Sequence, residues 1–528
     1  MRRSGDGIVS DTNKSTMAKL LTTLKLGEWL PDLPENGNPG APYASNVLWV
    51  NGAYQPALGF SSLGVTAPAR VQGATSMADA DGNVHIYAAT GTQLLEYTGT
   101  GLTNLSAGGG SPYTAADGQY WKFTEFSSPS FGNLVLATDF ADAVQSMPVG
   151  GAGFAALAGS PPKAACIGTI NQFVMLGATE DGINGQVPNR VQWCGLGNPS
   201  YWGFSTLTDQ ENQAGQQFLD AVYGPVTEIA NGYEYGLIFQ QRGITRATYI
   251  GGDAIFDFST YEKQRGAFFP NAPVQLGNLV YFIAADGFCM TDGFQVQQIG
   301  HGKCDTAFLS DVSLAYGDRV VGALDPINKL IYWCYCSAGN TTGVPDRQIT
   351  YNYAENRFAP AAQAVSRVFG SRSFGYTMDT LDDVDTDLDL ITPSLDNPYW
   401  QGGDLQLQAF DGSNRLGTLT GYPLDPAVID STEAAPNPGG LSYIDGVRPV
   451  VTVGSYSPAP TVQLLTRNLE NEAYTLSTAA TQNVRTGRCD LRATGRYVRA
   501  RVAIRGGANG GFGAATGIDI YGTPAGEA

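Results

Sequence analysis

Cysteine and histidine are the residues that most often supply a nucleophile and its base, and this chain of 528 residues has seven Cys and two His. His301 and Cys304, in IGHGKCD, are three residues apart and form the one local candidate for a thiol–imidazole pair. A cysteine nucleophile needs such a base to form its thiolate. The alternative is a turn histidine beside a buried thiol, and the neighbouring glycines favour it.

The spacing of the remaining cysteines does not match that of metal ligands. Cys334 and Cys336 in WCYC alternate, so they share one face of a strand, but no CxxC partner or nearby histidine completes a zinc set. An odd number of widely spaced cysteines without an export signal favours reduced, buried thiols. We therefore predict neither a catalytic thiol nor a zinc site among the cysteines.

A run of alternating carboxylates is the second feature that suggests chemistry: Asp383, Asp385, Asp387 and Asp389. An EF-hand loop that begins at Asp383 needs glycine at its sixth position and a carboxylate at its twelfth. Those positions hold Leu388 and Ser394, so the match fails twice. A calcium loop of another design, a solvated acidic edge and an acidic surface for a basic partner remain open.

Arginines are dense near the C-terminus: Arg485, Arg488, Arg492, Arg496, Arg499, Arg501 and Arg505. Arg499 and Arg501 alternate with apolar residues, the pattern of a strand with one solvent-facing side. Guanidinium groups bind phosphates, but they pair as well with carboxylates. We expect contacts with protein acids, and we predict a subunit interface between two sets of residues: Arg488, Arg492, Arg496, Arg499 and Arg501 on one side, and Asp383, Asp385, Asp387 and Asp389 on the other.

The net charge of the chain limits the kinds of partner that it can bind tightly. The formal net charge is −18 and the pI is about 4.5, whereas a protein that grips DNA through its phosphates should be basic. An acidic wall is compatible with transient contact with DNA that slides past it. We find no phosphate loop, no nucleophile elbow and no apolar run long enough for a membrane-spanning segment.

The elements that carry these residues are predicted to be short strands. Glycine is abundant (67 residues) and charged residues make up only 15% of the chain. Between 61 and 370, apolar or β-branched strands alternate with Gly or Asp-Gly turns at the spacing of all-β folds. At about 40–50 residues per four-stranded blade, this region predicts a β-propeller of about six to eight blades. Two stacked sandwiches are the alternative.

We predict an all-β protein with four regions. Residues 1–28 form a flexible N-terminal extension with a short helical tendency at 17–27, and residues 29–60 form an extended arm rich in Pro and Gly. Residues 61–370 form the propeller-like domain. Residues 371–528 form an additional C-terminal β domain with the acidic loop and the arginine-rich strand.

Several phrases occur in an order that resembles a phage protein family: WLPDLPENGNPGAPYASNV, FAALAGSPPKAACIGTINQFVMLG, RVQWCGLGNPSYWGF, YGLIFQQRGITRATYIGG and GRYVRARV. They resemble the tail-hub or nozzle proteins of short-tailed bacteriophages, also called tail tubular or packaged-DNA stabilisation proteins. The resemblance covers most of the chain from about residue 29.

This resemblance implies a structural virion protein of the tail, assembled in the bacterial cytoplasm. It implies a homohexameric ring below the portal and adaptor, whose channel retains DNA and guides its ejection. The implied partners are other copies of the chain, the adaptor or head–tail connector, other tail proteins and, transiently, viral DNA. The family has no catalytic residues to transfer, so the resemblance implies a protein that is not an enzyme, with no catalytic residue, no metal and no cofactor.

Two other functions stay open at this point. One is a propeller that binds or depolymerises carbohydrate at a host surface, with a sugar platform formed by tryptophans: Trp121, Trp193, Trp202 and Trp400. The other is a soluble propeller scaffold that binds a host protein.

Overall fold

A computed structural model describes residues 19–373, 405–453 and 459–526, which contain 40 strands, two short α-helices and three 3₁₀ helices. The chain divides into two compact units. A propeller unit comprises residues 29–33 and 45–424, and a two-sheet unit comprises residues 1–28, 34–44 and 425–528. The all-β fold class, a β-propeller with an additional β domain, is confirmed.

The chain starts with five short strands: β1 (Lys19–Lys25), β2 (Ala44–Ser45), β3 (Val47–Val50), β4 (Ala53–Pro56) and β5 (Ser61–Thr66). Blade 1 of the propeller is β6 (Val71–Ala78), β7 (Val84–Thr90), β8 (Leu94–Tyr97) and β9 (Leu102–Asn104). Blade 2 is β10 (Lys122–Ser128), β11 (Gly132–Thr138), β12 (Gln145–Pro148) and β13 (Ala155–Ala156). Blade 3 is β14 (Lys163–Ile170), β15 (Phe173–Asp181), β16 (Gly185–Trp193) and β17 (Gly215–Phe218), with α1 (Leu207–Glu211) before its last strand.

A 3₁₀ helix (Ala221–Tyr223) leads to blade 4, which is β18 (Val226–Ala230), β19 (Tyr235–Gln240), β20 (Gly243–Gly251) and β21 (Ile255–Glu262), with a 3₁₀ helix (Gly252–Ala254) before β21. Blade 5 is β22 (Val274–Leu276), β23 (Leu279–Ala284), β24 (Gly287–Thr291) and β25 (Val296–Gln298). It is followed by α2 (Asp305–Asp311) and a 3₁₀ helix (Leu314–Arg319). Blade 6 is β26 (Val321–Asp325), β27 (Leu330–Tyr335), β28 (Arg347–Asn352) and β29 (Arg357–Ala361).

Blade 7 closes the propeller with strands from two distant parts of the chain. Its first three strands are β30 (Val365–Arg372), β31 (Leu405–Asp411) and β32 (Arg415–Thr418), and its outer strand is β5, which pairs antiparallel with β32. The inner strand β30 neighbours β6 of blade 1, so the seven four-stranded sheets form a closed ring. Such radial repetition leaves each blade with only short, protected strand edges.

Aspartates set the tight turns of several blades. The Asp79 carboxylate accepts hydrogen bonds from the backbone N–H groups of Asp81 (2.9 Å) and Asn83 (2.8 Å). The same local capping, in which a side-chain oxygen replaces a backbone acceptor, recurs in three other blades at Asp181, Asp325 and Asp411. This capping explains why the turns between strands are rich in Asp and Gly along the sequence.

Buried aromatic side chains fill the spaces between neighbouring blades. Trp121 and Trp333 are fully buried, and their indole N–H groups donate to the backbone oxygens of Thr90 (2.9 Å) and Ala272 (2.9 Å). Because a buried indole N–H needs an acceptor, each bond fixes the ring against the preceding blade. The propeller is thus held together by packing that local sequence patterns encode.

The two-sheet unit is built largely from the C-terminal part of the chain. In one sheet, β34 (Ser442–Val453) pairs with β40 (Phe512–Pro524) and with β38 (Ala493–Gly495), and β1 pairs with β40. In the other, β39 (Tyr497–Ile504) lies between β33 (Ala427–Asp430) and β35 (Thr461–Arg467). Two short strands, β36 (Thr475–Leu476) and β37 (Ala480–Thr481), pair with β35.

The predicted regions differ from the structure in three places. Residues 19–25, predicted to be mobile with a helical tendency, form β1, because pairing with β40 outweighs local helix propensity. The arm at 29–60 contains β2, β3 and β4 and is divided between the two units. The boundary predicted at 370/371 falls inside blade 7, since β31 and β32 complete that blade, and the second unit begins again at Asp425.

No helix among the described residues is long and apolar enough to cross a membrane.

Candidate functional site

Charged side chains converge where the inner strands of the propeller begin. This axial mouth is formed by eight residues from the starts of blades 1, 2, 4, 6 and 7: Arg70, Asp117, Tyr120, Lys122, Glu228, Asp318, Arg319 and Arg367. Residues at equivalent blade positions surround the propeller axis, so groups far apart in sequence meet there.

One carboxylate joins blades on opposite sides of the mouth. Asp117, just before β10, accepts hydrogen bonds from Arg70 Nε (3.0 Å) and Arg319 Nη2 (2.5 Å). Arg70 precedes blade 1 and Arg319 precedes blade 6. Arg319 also donates to the backbone oxygen of Gly343. The Asp117–Arg319 pair therefore joins blades 2 and 6, which are not neighbours in the ring.

Two further contacts cross the same space. Lys122 Nζ of blade 2 lies 2.5 Å from Glu228 Oε2 of blade 4 and donates to the oxygen of Pro270 (2.7 Å). The Tyr120 hydroxyl donates to Asp318 Oδ2 (3.2 Å), and burial raises the pKa of Tyr120 to about 12. These contacts link blade 2 with blade 4 and with the segment that precedes blade 6.

Among the cations of the axial mouth, Arg367 on β30 has the most nitrogens without a hydrogen-bond partner in the described structure. Its guanidinium lies 5.9 Å from the centroid of the Tyr120 ring, and its Nε and Nη1 have no hydrogen-bond partner within the described structure. Burial lowers the pKa of Arg367 to about 10, although the nearby Tyr120 and Glu228 favour its charge. The residue still carries a proton at neutral pH.

A cavity of about 490 Å³ adjoins the mouth, between the starts of blades 2, 3 and 4. We call it the Asp139 pocket. Its walls include Phe140, Pro188, Pro225 and Val226, and Asp139 lies at its base with 1% of its surface exposed. Such a mostly apolar cleft with few polar groups is typical of a binding site.

A second cavity, of about 290 Å³, lies between blades 4 and 5. Tyr233, which is 77% exposed, and Tyr235 line it. Two amides on its wall are already engaged, because Asn231 Oδ1 accepts from the Thr169 N–H (2.8 Å) and Gln275 Oε1 accepts from the Asn231 N–H (3.1 Å). The cavity thus offers a ligand two tyrosines beside polar groups that include Glu234 and Asn278.

The arginines predicted as a subunit interface mostly have partners within their own unit. Arg501 forms two bonds with Asp430 (2.6 and 2.9 Å), and Arg488 lies 3.2 Å from Asp445. Arg492 is exposed and Arg496 is half-buried. Their predicted acidic partners, Asp383, Asp385, Asp387 and Asp389, lie outside the described residues.

The prediction that Arg499 lies on a solvent-facing strand side is wrong. Arg499 is 1% exposed; its Nη2 donates to the backbone oxygen of Glu35 (3.3 Å), and its guanidinium stacks on Tyr474, 5.0 Å from the ring centroid. The alternation of Arg with apolar residues does not reveal a cation that is covered by another segment. Sequence reasoning also missed the eight residues of the axial mouth, which no local motif connects.

The residues first considered for catalysis are not assembled into a site. Cys304 is buried and His301 is exposed. All seven cysteines are buried and none is in a disulfide, and burial raises the pKa of Cys194 to about 12. No cluster of three potential metal ligands occurs among the described residues. Trp193 and Trp202 are buried like Trp121, and Trp400 lies outside the described part of the chain.

No protein-family model and no curated protein matches the chain. Among solved structures it is similar to BBS1N in complex with ARL6DN, soaked with lead, with a TM-score of 0.39 and 10% sequence identity over 71% of this chain and 97% of that chain. The mercury-soaked form of the complex gives a TM-score of 0.37 and 11% identity over 68% and 96% of the two chains. A similarity of this size does not bear on function.

Proposed function

We propose that the chain is a non-catalytic structural subunit of a phage virion tail, which forms a ring-shaped nozzle below the portal and adaptor. The observation that carries the proposal is the bridged axial mouth, together with the resemblance of the sequence to tail-hub proteins. Lys122–Glu228 and Arg70–Asp117–Arg319 link blades that are not neighbours in the ring. Because these side chains occupy the mouth of the single propeller, we expect a DNA channel to be enclosed by several copies.

The charge of the chain supports such a conduit. With a net charge of −18, most of the surface repels phosphates, so DNA gains little from counterion release and is not held. A ring of identical subunits needs one heterologous contact between two different patches of each copy. Exposed apolar residues in one short segment of blade 3 are suited to such a contact: Leu207 (78%), Phe218 (48%) and Val222 (69%).

The first test is the mass of the purified full chain with and without a portal–adaptor complex, measured by native mass spectrometry. We expect six or twelve copies on the portal. Replacing the exposed Arg492 with glutamate should reduce assembly at least tenfold at equal concentration, because Arg492 is the accessible member of the predicted arginine interface. The same change at exposed Arg372 is the control. A monomer with no affinity for the portal would contradict the nozzle; unchanged assembly of R492E would contradict the arginine contact alone.

A second candidate function is carbohydrate binding at a host surface, and the aromatic cavity between blades 4 and 5 favours it. Tyr235 packs against Phe294, which is 63% exposed, with ring centroids 5.8 Å apart, beside the exposed Tyr233. Exposed aromatic faces with one polar end suit a sugar ring. We expect Tyr233→Ala to abolish any glycan-array signal, whereas Tyr422→Ala, at an equally exposed site, should not. An array without signal for the wild type would exclude this function.

A further inference from the structure

The Asp139 pocket contains buried acceptors that lack a donor. Asp139 Oδ2 and Asn271 Oδ1 have no hydrogen-bond partner in the described structure, although the two residues are only 1% and 6% exposed. Their other polar atoms are engaged: Asp139 Oδ1 accepts from the Asp142 N–H (2.9 Å), and Asn271 Nδ2 donates to the oxygen of Asp318 (2.7 Å). Buried polar atoms are almost always paired, so the pocket lacks a hydrogen-bond donor.

The two buried carboxyl groups of the pocket differ in their compensation: Arg319 and Arg70 favour the charge of Asp318, whereas no cation is among the groups that shift the pKa of Asp139. Burial raises the pKa of Asp139 to about 7, and burial raises the pKa of Asp318 as well. The ammonium of Lys122 does not stabilise the Asp139 carboxylate, because it is already bound to Glu228 and to the Pro270 oxygen. A cation that entered would stabilise the Asp139 carboxylate.

The charged and titratable groups around Asp139 come from its own loop and from the facing walls: Tyr113, Asp142, Lys163, Lys122, Glu228 and Asp318. Lys163 is bound to the oxygen of Ala141, at the outer side of the loop. The guanidiniums of Arg70 and Arg319 are bound to Asp117 in the axial mouth. Arg367 contacts the Tyr120 ring and does not line the pocket.

The walls suit a hydrocarbon chain. Phe140, Ala165, Pro188, Pro225 and Val226 line the cavity, and its volume of about 490 Å³ admits a side chain with part of its backbone. Phe140 has φ of 72°, a left-handed conformation that is unfavourable for a bulky residue. Phe140 directly follows Asp139, and both residues line the pocket.

We propose that this pocket binds an arginine side chain presented by a partner polypeptide: the apolar walls enclose its methylene groups, while Asp139 and Asn271 accept hydrogen bonds from its guanidinium. A planar guanidinium with five N–H donors can reach two separate acceptors at once. Binding displaces the proton of Asp139 to solvent when that carboxyl is protonated. The inference does not depend on the tail-nozzle proposal.

The test uses the full-length protein and a fluorescein-labelled, amidated Gly-Leu-Arg-Leu-Gly peptide, followed by fluorescence anisotropy. We expect binding at least tenfold tighter than that of the same peptide with citrulline or glutamate in place of arginine. Between pH 6 and pH 8 the affinity should rise about tenfold as Asp139 loses its proton. D139N should weaken binding at least tenfold and remove this pH dependence, whereas D220N, at an exposed aspartate outside the pocket, should leave both unchanged.

Three results would overturn the proposal: no binding of the arginine peptide at millimolar concentration, equal binding of the citrulline or glutamate peptide, or wild-type affinity in a folded D139N protein. If D139N does not fold, Ala165→Leu replaces it, since this half-buried wall residue can fill the pocket from β14. Loss of arginine-peptide binding in A165L supports the site, and retention overturns it.

Discussion

Replacing Arg467 with glutamine is expected to lower the free energy of unfolding of the two-sheet unit by about 3–5 kcal/mol. Arg467 and Glu433 expose only 4% and 6% of their side chains and are joined by two bonds of 2.8 Å. Without the guanidinium, the Glu433 carboxylate stays buried with the Tyr474 hydroxyl (2.9 Å) as its remaining side-chain donor. A buried charge without its partner is among the most destabilising defects.

The expected loss of stability is large because the Arg467–Glu433 pair belongs to a network that also attaches a neighbouring segment. Arg467 and Arg499 both lie over the Tyr474 ring, at 4.7 and 5.0 Å from its centroid. Arg499 in turn binds the Glu35 backbone, so the network fastens the segment at 34–44 to the sheet that contains β35 and β39. Loss of the Arg467 guanidinium should therefore weaken the attachment of the segment at 34–44 as well as remove the ion pair with Glu433.

Hydrogen–deuterium exchange gives a local measurement, which matters because a two-unit chain need not unfold in one step. In R467Q, amides of β35 and β39 should lose protection by about 100- to 4,000-fold, since each factor of ten corresponds to about 1.4 kcal/mol. Arg505→Gln is the matched control: Arg505 is 68% exposed and lies 3.3 Å from Asp425, a surface pair worth about 0–1 kcal/mol. Equal protection in R467Q and wild type would refute a stabilising role for the pair.

Local patterns were sufficient to predict the propeller. Strand alternation and Asp-Gly turns act over about ten residues, and Asp79 and Asp181 cap turns within two to four residues of themselves. The segment RVQWCGLGNPSYWGFS contains the end of β16 and the residues that follow it. In this segment Cys194 is fully buried and Trp202 is 5% exposed. Such features are visible in sequence because both partners lie close together along the chain.

Features that need distant partners were not predicted. The pairing of β5 with β32 joins residues about 350 positions apart, which is why the domain boundary was misplaced. The axial mouth unites Arg70, Asp117 and Arg319, and no spacing rule links them. Arg499 was assigned to a solvent-facing strand side because periodicity does not reveal that another segment covers it.

Asp305→Asn is expected to flatten the dependence of propeller stability on pH. Asp305 is the first residue of α2 and is 6% exposed; its Oδ1 accepts from the Phe288 N–H (2.9 Å) and its Oδ2 has no partner. Burial raises its pKa from 3.8 to about 6, and the negative charge of Asp32, which caps α2, adds to the shift. Gly287 and Gly300 enclose the carboxyl so closely that an added Cβ would lie 2.1 and 2.0 Å from it.

The direction of the effect follows from the raised pKa. Folding favours the protonated carboxyl, so this contribution to stability is complete below pH 3.8 and is lost as the pH rises through about 6. A shift of about two pKa units corresponds to about 3 kcal/mol. The wild-type propeller should therefore lose up to about 3 kcal/mol from this residue between pH 4 and pH 7, whereas asparagine cannot ionise and removes that part of the loss.

Urea unfolding of the full chain at several pH values between 4 and 7.5, with separate transitions resolved, measures this slope. D305N should have a smaller fall in its midpoint than wild type, and D139N should add to the flattening, because burial raises the pKa of Asp139 to about 7. The exposed Asp81 is the control, and D81N should follow the wild-type curve. Since the asparagine amide leaves a buried donor where Oδ2 had no partner, the absolute stability of D305N can fall while its slope still decreases. A D305N curve parallel to wild type would mean that Asp305 is ionised in the folded protein at pH 4, and that α2 begins with a carboxylate that burial does not penalise.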